Sequence, residues 1–184
     1  MAAPERTEHD AGRQPVVILS GNPRPGSRTM DAATRLAQRV PASGTRHVVD
    51  LAQLAGHVYE PGHARIEDAL AAVRSAEVLI VATPVYKASF TGLLKSFLDL
   101  LPADSLASAT AIPVVVSASV SHRLLTELHL RIVLRELGAT LPSTAVLLDE
   151  GHLADLDPVL DAWAEQQIPV LQTARAVLGR PRVR

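Results

Sequence analysis

The chain reads VLIVATP over residues 78–84, an uninterrupted aliphatic run that Thr83 and Pro84 bring to an end. Short apolar runs rich in β-branched side chains are typical of strands that are buried on both faces. Four similar segments occur elsewhere, reading VVILS at 16–20, HVV at 47–49, IPVVV at 112–116 and AVLL at 145–148. The sequence therefore predicts five strands, most of them in the interior of a sheet.

Segments with helical spacing separate these runs. Apolar residues recur every three or four positions over 30–40, 64–75, 89–101, 122–137 and 153–178. Gly138 is predicted to end the fourth helix, and Pro169 to interrupt the last one. Strands that alternate with helices predict an α/β fold, a doubly wound five-stranded parallel sheet with helices on both faces. In such sheets ligands bind beyond the carboxyl ends of the strands, here at loops 21–29, 83–89 and 117–122.

Composition excludes several classes of protein. The 184 residues carry a net charge of −1 and no cysteine. The charge argues against nucleic-acid binding, and the missing cysteines exclude disulfides, thiolate zinc sites and cysteine nucleophiles. Neither a secretory signal nor an apolar run long enough for a membrane helix is present, which predicts a cytoplasmic protein with no membrane contact. Residues 1–14 are expected to be a flexible tail and residues 15–180 a single domain.

The loop after the first predicted strand has the composition of an anion site. It reads GNPRPGSRT over 21–29 and offers the Asn22 amide, the Ser27 and Thr29 hydroxyls, and the Arg24 and Arg28 guanidinium groups. A helix that follows adds free backbone N–H groups, which favour phosphate. The loop lacks the lysine of a P-loop and the three glycines of a dinucleotide fingerprint. A monophosphate site is predicted; the alternative is an ordinary turn with solvated arginines.

The loop after the third predicted strand begins TPVYK at 83–87. Pro84 fixes the backbone, so that Tyr86 and Lys87 project from the carboxyl edge of the sheet. A flat heterocycle could lie against Val85 and Tyr86. The alternative is that Tyr86 is a core residue with a solvated hydroxyl and Lys87 a solvated charge.

Together the two loops resemble the NADPH-dependent FMN reductases, and more closely the flavin reductases of alkanesulfonate-monooxygenase systems. The motif GNPRPGSRT and the segment TPVYKASFTGLLKSFLDLLP at 83–102 carry the resemblance, which extends from Val16 to about Ala176. It implies a flavodoxin-like fold that binds FMN. The phosphate would contact Asn22, Arg24, Ser27, Arg28 and Thr29, and the ring would lie between Pro84, Val85, Tyr86, Lys87 and the loop Ser117, Ala118, Ser119.

The resemblance also implies an activity. The enzyme would transfer hydride from NADPH to flavin and supply reduced flavin to a partner monooxygenase, with no side chain acting as a catalytic acid or base. A homodimer or homotetramer is expected. Two alternatives are an FMN-bound quinone or azo reductase and a flavodoxin-type electron carrier.

The remaining titratable residues suggest no second site. The seven histidines show no His-x-x-x-His spacing with a carboxylate, so no metal site is expected. Asp149 and Glu150 are adjacent at the end of the last predicted strand, where neighbours face opposite ways, and so form no paired-acid site. His129 stands on a helix that some family members use at their subunit interface; it has either that role or a structural one.

Overall fold

Five parallel strands form the centre of the fold. The computed structural model describes residues 16–42 and 45–178. The strands are β1 (Val16–Ser20), β2 (Arg46–Asp50), β3 (Val78–Pro84), β4 (Thr110–Val116) and β5 (Val146–Leu148). They pair in the order β2-β1-β3-β4-β5, every pair parallel. The predicted doubly wound sheet is confirmed. The predicted tail at 1–14 lies outside the described residues, and the predicted domain at 15–180 extends past them at both ends.

Helices cover both faces of the sheet. They are α1 (Arg28–Arg39), α2 (Ala64–Arg74), α3 (Gly92–Leu98), α4 (Val120–Glu136) and α5 (Asp157–Leu178), with short 3₁₀ turns at Leu51–Gln53 and Glu150–His152. Successive strand residues point to opposite faces. Ile18 accordingly packs with α1 and α5, whereas Leu19 packs with α2, α3 and α4. None of the helices in the described residues is long and apolar enough to cross a membrane.

The observed helices correct the predictions at three places, one of which is the start of the last helix at Asp157 rather than residue 153. The third helix begins at Gly92 rather than residue 89, because the Thr91 hydroxyl caps it and the preceding residues form a separate turn. The predicted interruption at Pro169 is wrong, since α5 is continuous through this residue. Proline removes one helical hydrogen bond, but Trp163 and Leu171 on either side of it are buried in one core and hold the helix together. Gly138, at φ 90°, follows the end of α4 as predicted.

Ion pairs join α1 to α5. An Arg39 Nη atom lies 2.8 Å from Asp157 Oδ1, and Arg35 binds the other carboxylate oxygen. The hydrogen bond from Arg35, followed by that from Arg39, lowers the pKa of Asp157 from its ordinary value of 3.8. These contacts fix the start of α5 against the helix that follows the first loop.

Candidate functional site

A cleft of about 490 Å³ opens at the carboxyl edge of the sheet, beside β1, β3 and β4. The three loops that the sequence singled out meet there. The predicted residues that line the cleft are Asn22, Arg24, Ser27, Arg28, Thr29, Pro84, Val85, Tyr86 and Ser117. Lys87, Ala118 and Ser119 are not among its lining residues. The cleft lies where the chain order of the strands reverses, between β1 and β3, which is where open α/β sheets bind ligands.

The first loop presents the N-terminus of α1 to the cleft. The Ser27 hydroxyl caps this helix and accepts a hydrogen bond from the Met30 N–H at 3.2 Å. Within the described residues, the backbone N–H groups of Arg28 and Thr29 donate to no protein acceptor. Free N–H groups and the positive end of the helix dipole together favour an anion, so this part of the cleft fits a phosphate group.

Asn22 shapes this loop from inside. Its side chain is buried; Nδ2 donates to Thr29 Oγ1 at 3.1 Å, and Oδ1 accepts from the Arg24 N–H at 2.9 Å. One hydrogen of Nδ2 is still available for a ligand. Asn22 therefore holds the shape of the first loop and also lines the cleft.

A close packing contact fixes the first loop to α3. A Cβ atom on Gly21 would lie 2.6 Å from the Leu94 Cβ atom, closer than real Cβ atoms approach. The Thr91 hydroxyl donates to the Gly21 carbonyl at 2.5 Å and accepts from the Leu94 N–H at 3.1 Å. Thr91 therefore holds the first loop and caps α3 at the same time. Neither role was apparent from the sequence, because the two segments are far apart along the chain.

The second loop contains a tight, strained turn. Tyr86 and Ser89 exchange two backbone hydrogen bonds, of 2.9 and 3.2 Å, around Lys87 and Ala88. Both central residues have positive φ, 52° and 64°, as a type I′ turn requires, although neither is glycine. Left-handed backbone costs a non-glycine residue about 1–2 kcal/mol. The turn leaves Tyr86 43% exposed at the cleft, whereas Lys87 is exposed outside it.

The third loop divides its polar groups between the cleft and α4. The Ser117 side chain is buried on the cleft wall, and the backbone N–H of Ser117 donates to the Leu148 carbonyl at 3.1 Å. Ser119 caps α4, where its hydroxyl accepts from the His122 N–H at 3.4 Å. Ala118 is exposed between them. Only Ser117 of this predicted group therefore faces the cleft.

Sequence reasoning missed Glu150, which lines the cleft together with Pro25, Gly26, Val116 and Leu153. An Arg28 Nη atom lies 3.0 Å from Glu150 Oε1. The strand argument did not apply to Glu150, because β5 ends at Leu148 and Asp149 caps a 3₁₀ turn instead. The position of Glu150 just beyond a predicted strand was the signal that could have found it. The anion site thus contains one carboxylate that competes for an arginine.

Comparisons with known proteins match the chain to one family. The family described as NADPH-dependent FMN reductase matches residues 15–153. An FMN reductase (NADPH) from Pseudomonas putida strain KT2440 is 42% identical over 113 residues, which are 59% of this chain and 57% of that protein. The NADH-dependent FMN reductase SfnF of Pseudomonas putida is 30% identical over 179 residues, covering 86% of this chain and 96% of the relative.

A solved structure extends the likeness to three dimensions. The apo form of an NADH:FMN oxidoreductase (EMOB) is similar at a TM-score of 0.78 and 29% identity, with 92% of each chain covered. The present chain spans little more than half the length of the FMN reductase (NADPH) from Pseudomonas putida. The family match, however, covers well over half of the present chain. The chain therefore belongs to the NADPH-dependent FMN reductase family.

Proposed function

We propose that this chain is an NAD(P)H-dependent FMN reductase. The observation that carries the proposal is the cleft, whose lining includes both the N-terminus of α1 and the exposed aromatic side chain of Tyr86. Such a cleft suits a ligand with a phosphate at one end and a flat ring at the other. When bound, FMN would supply the chemistry, accepting a hydride from the nicotinamide.

The protein would bind and orient the two reactants. The free N–H groups of Arg28 and Thr29 and the guanidinium group of Arg24 would hold the phosphate. Val85 and Tyr86 would support the ring from the β3 side. No side chain in the cleft needs to move a proton during hydride transfer, so the role of the protein is positioning.

Flavin would act as an exchanging substrate. Tyr86, the aromatic side chain on the cleft wall, is 43% exposed, and the cleft is open to solvent. A ring held mainly through its phosphate should leave readily once reduced, for use by a flavin-dependent monooxygenase of the sulfonate-desulfurisation type. The names of the relatives divide between NADPH and NADH. NADPH and the monooxygenase partner follow from the resemblance and, like the cytoplasmic location, stay predictions.

Assembly through α4 is part of this proposal. This helix exposes an apolar face of large side chains, each 46–62% exposed: Val120, Leu124, Leu125, Leu128 and Ile132. A shallow apolar groove beside it is lined in part by Phe90 and His129. Contiguous exposed apolar surface of this kind favours a protein interface. A homodimer or homotetramer that uses this face would place His129 at the interface, and light scattering of a Leu128→Asp variant would test it.

The experiment that tests the function follows NAD(P)H oxidation by the purified protein after exhaustive dialysis. We expect a colourless protein whose activity requires added FMN and saturates with FMN concentration. Retained yellow colour with full activity towards a quinone or azo dye, without added FMN, would instead support the bound-flavin reductase. Flavin binding without any NAD(P)H oxidation would support the electron carrier.

A further inference from the structure

Three side chains between the 3₁₀ turn at Leu51–Gln53 and α2 point along one line. The backbone N–H groups of His57, Glu60 and His63 donate to carbonyls three residues earlier, at 2.9, 2.9 and 3.2 Å. In turns of this type side chains three residues apart eclipse one another. His57, Glu60 and His63 therefore form a row, although their spacing differs from that of a metal-binding α-helix.

The row brings three metal-ligating side chains close together. The two imidazole rings are stacked, with centroids 3.9 Å apart and planes inclined by 11°. The distance from His57 Nδ1 to Glu60 Oε1 is 3.1 Å, and that from His63 Nε2 to Glu60 Oε2 is 4.0 Å. One ligand atom from each residue lies within 4.8 Å of the others. Ligands about 2.0–2.2 Å from a tetrahedral zinc ion are roughly 3.4 Å apart, close to the spacing of these side chains. An imidazole nitrogen binds a metal in the plane of its ring, so at least one of the stacked rings must rotate about its side-chain torsions for both nitrogens to face one ion.

The donor set determines which metal would bind. Two imidazole nitrogens and one carboxylate oxygen suit zinc, copper or nickel, whereas magnesium and calcium prefer oxygen ligands throughout. Within the part of the chain that the structure describes, the Nδ1 atom of His63 is buried and has no hydrogen-bond partner, which leaves Nε2 as the nitrogen that can reach a ligand. We propose that His57, Glu60 and His63 bind one divalent ion of the zinc class, with water in the remaining coordination position.

This site would stabilise the fold rather than take part in the proposed reaction. None of the three residues lines the cleft at the sheet edge. They lie in the second half of the segment 51–63, which joins β2 to α2, and His57 and Glu60 flank the buried side chain of Val58. An ion bound by this row would favour the native state, because it has no preformed site in the unfolded chain.

The test is calorimetric titration of Zn²⁺ into the tag-free, chelator-treated full chain. We expect one ion per chain and a higher melting temperature with zinc. His57→Gln and His63→Gln should each lower the zinc affinity by more than the roughly 10–100-fold that loss of an outer-shell partner causes. The matched control is His47→Gln, which removes an exposed histidine of β2 and should leave zinc binding unchanged.

Three results would overturn the proposal: no zinc binding by the wild type, wild-type affinity in the double variant H57Q/H63Q, or equal loss in the His47 control. Circular dichroism without metal establishes that each variant is folded. If a variant unfolds, X-ray absorption of the zinc-loaded wild type decides: two imidazole ligands support the site, and a shell without imidazole overturns it. FMN binding is measured on the same samples, so a failure here is separable from a failure of the proposed function.

Discussion

Replacing Glu150 by glutamine should strengthen FMN binding if the phosphate occupies the N-terminus of α1. The Glu150 carboxylate pairs with Arg28 at 3.0 Å in the cleft, and the two side chains are 54% and 67% exposed. A phosphate would have to compete with this carboxylate for the guanidinium group and would be repelled by its charge. Glutamine keeps the size of the side chain, removes the charge repulsion and weakens the competition, because a neutral amide oxygen binds a guanidinium group less strongly than a carboxylate does.

The expected gain in FMN-binding free energy follows from how exposed the Arg28–Glu150 ion pair is. An ion pair between exposed side chains contributes about 0.2–1 kcal/mol, which the ligand no longer has to offset. Two unit charges about 4 Å apart in water interact by about 1 kcal/mol, and the phosphate has a charge near −2. With screening by salt, we expect a total gain of about 1–2 kcal/mol, or roughly 5–30-fold tighter binding.

The assay is a flavin-fluorescence titration at low and at high salt. The gain should shrink at high salt, and riboflavin, which lacks the phosphate, should bind the variant and the wild type equally. Glu165→Gln is the matched control: it makes the same change in net charge at an exposed residue of α5 that does not line the cleft. Unchanged or weaker FMN binding by Glu150→Gln, or an equal gain for riboflavin, would refute the phosphate assignment.

Four further predictions rest on single contacts. Arg24→Ala should weaken FMN binding by about 1.5–3 kcal/mol but leave riboflavin affinity unchanged, as measured by calorimetry. Gly21→Ala should lower the free energy of unfolding by about 1–3 kcal/mol, because its Cβ would meet a leucine of α3, whereas Gly56→Ala, with open space around it, should be neutral in urea unfolding. Ala88→Gly should raise that free energy by up to about 1 kcal/mol, since glycine adopts positive φ without a clash; equal midpoints in denaturant would contradict this. Two arginines of α1 hold the pKa of Asp157 below its ordinary value of 3.8. The ion pairs of Asp157 with these arginines therefore stabilise the fold fully above pH 3.8, and this stabilisation is lost as the pH falls through the pKa of the folded protein. Asp157→Asn should therefore be less stable than the wild type at pH 7, and the two unfolding curves should converge in acid.

The sequence predicts the sheet well because buried parallel strands leave an unmistakable pattern. Segments such as 78–84 and 112–116 are apolar on both faces, and helices separate them. Because the carboxyl ends of parallel strands meet at one edge of a sheet, the sequence also predicts that three loops lie together. Most of the predicted residues of these loops line one cleft. The sequence pattern could not place Lys87, because the direction of its side chain depends on a turn with positive φ. Such turns are normally recognised by a glycine, and this one contains none.

Two further errors have separate physical causes. Glu150 lies in a 3₁₀ turn, where residues repeat with a period near three, whereas the sequence predicted the end of a strand there. A strand alternates with a period of 2, so the strand pattern could not place this side chain on the cleft wall. Pro169 was misjudged for a different reason, since burial on both sides of it outweighs the lost hydrogen bond.

The two halves of the proposed flavin site are mechanically connected. The Thr91 hydroxyl donates a hydrogen bond to the carbonyl of Gly21 in the first loop. The backbone N–H of Thr91 donates to the hydroxyl of Thr83 at the start of the second loop. The distance between the phosphate end and the ring end of the cleft is therefore set by buried contacts rather than by exposed loops. A site preorganised in this way loses little entropy when FMN binds and need not open for FMN to leave. A fixed but open cleft suits an enzyme that releases its flavin after each turnover. The rate of release then depends on the contacts between flavin and cleft, and no movement of the protein is needed.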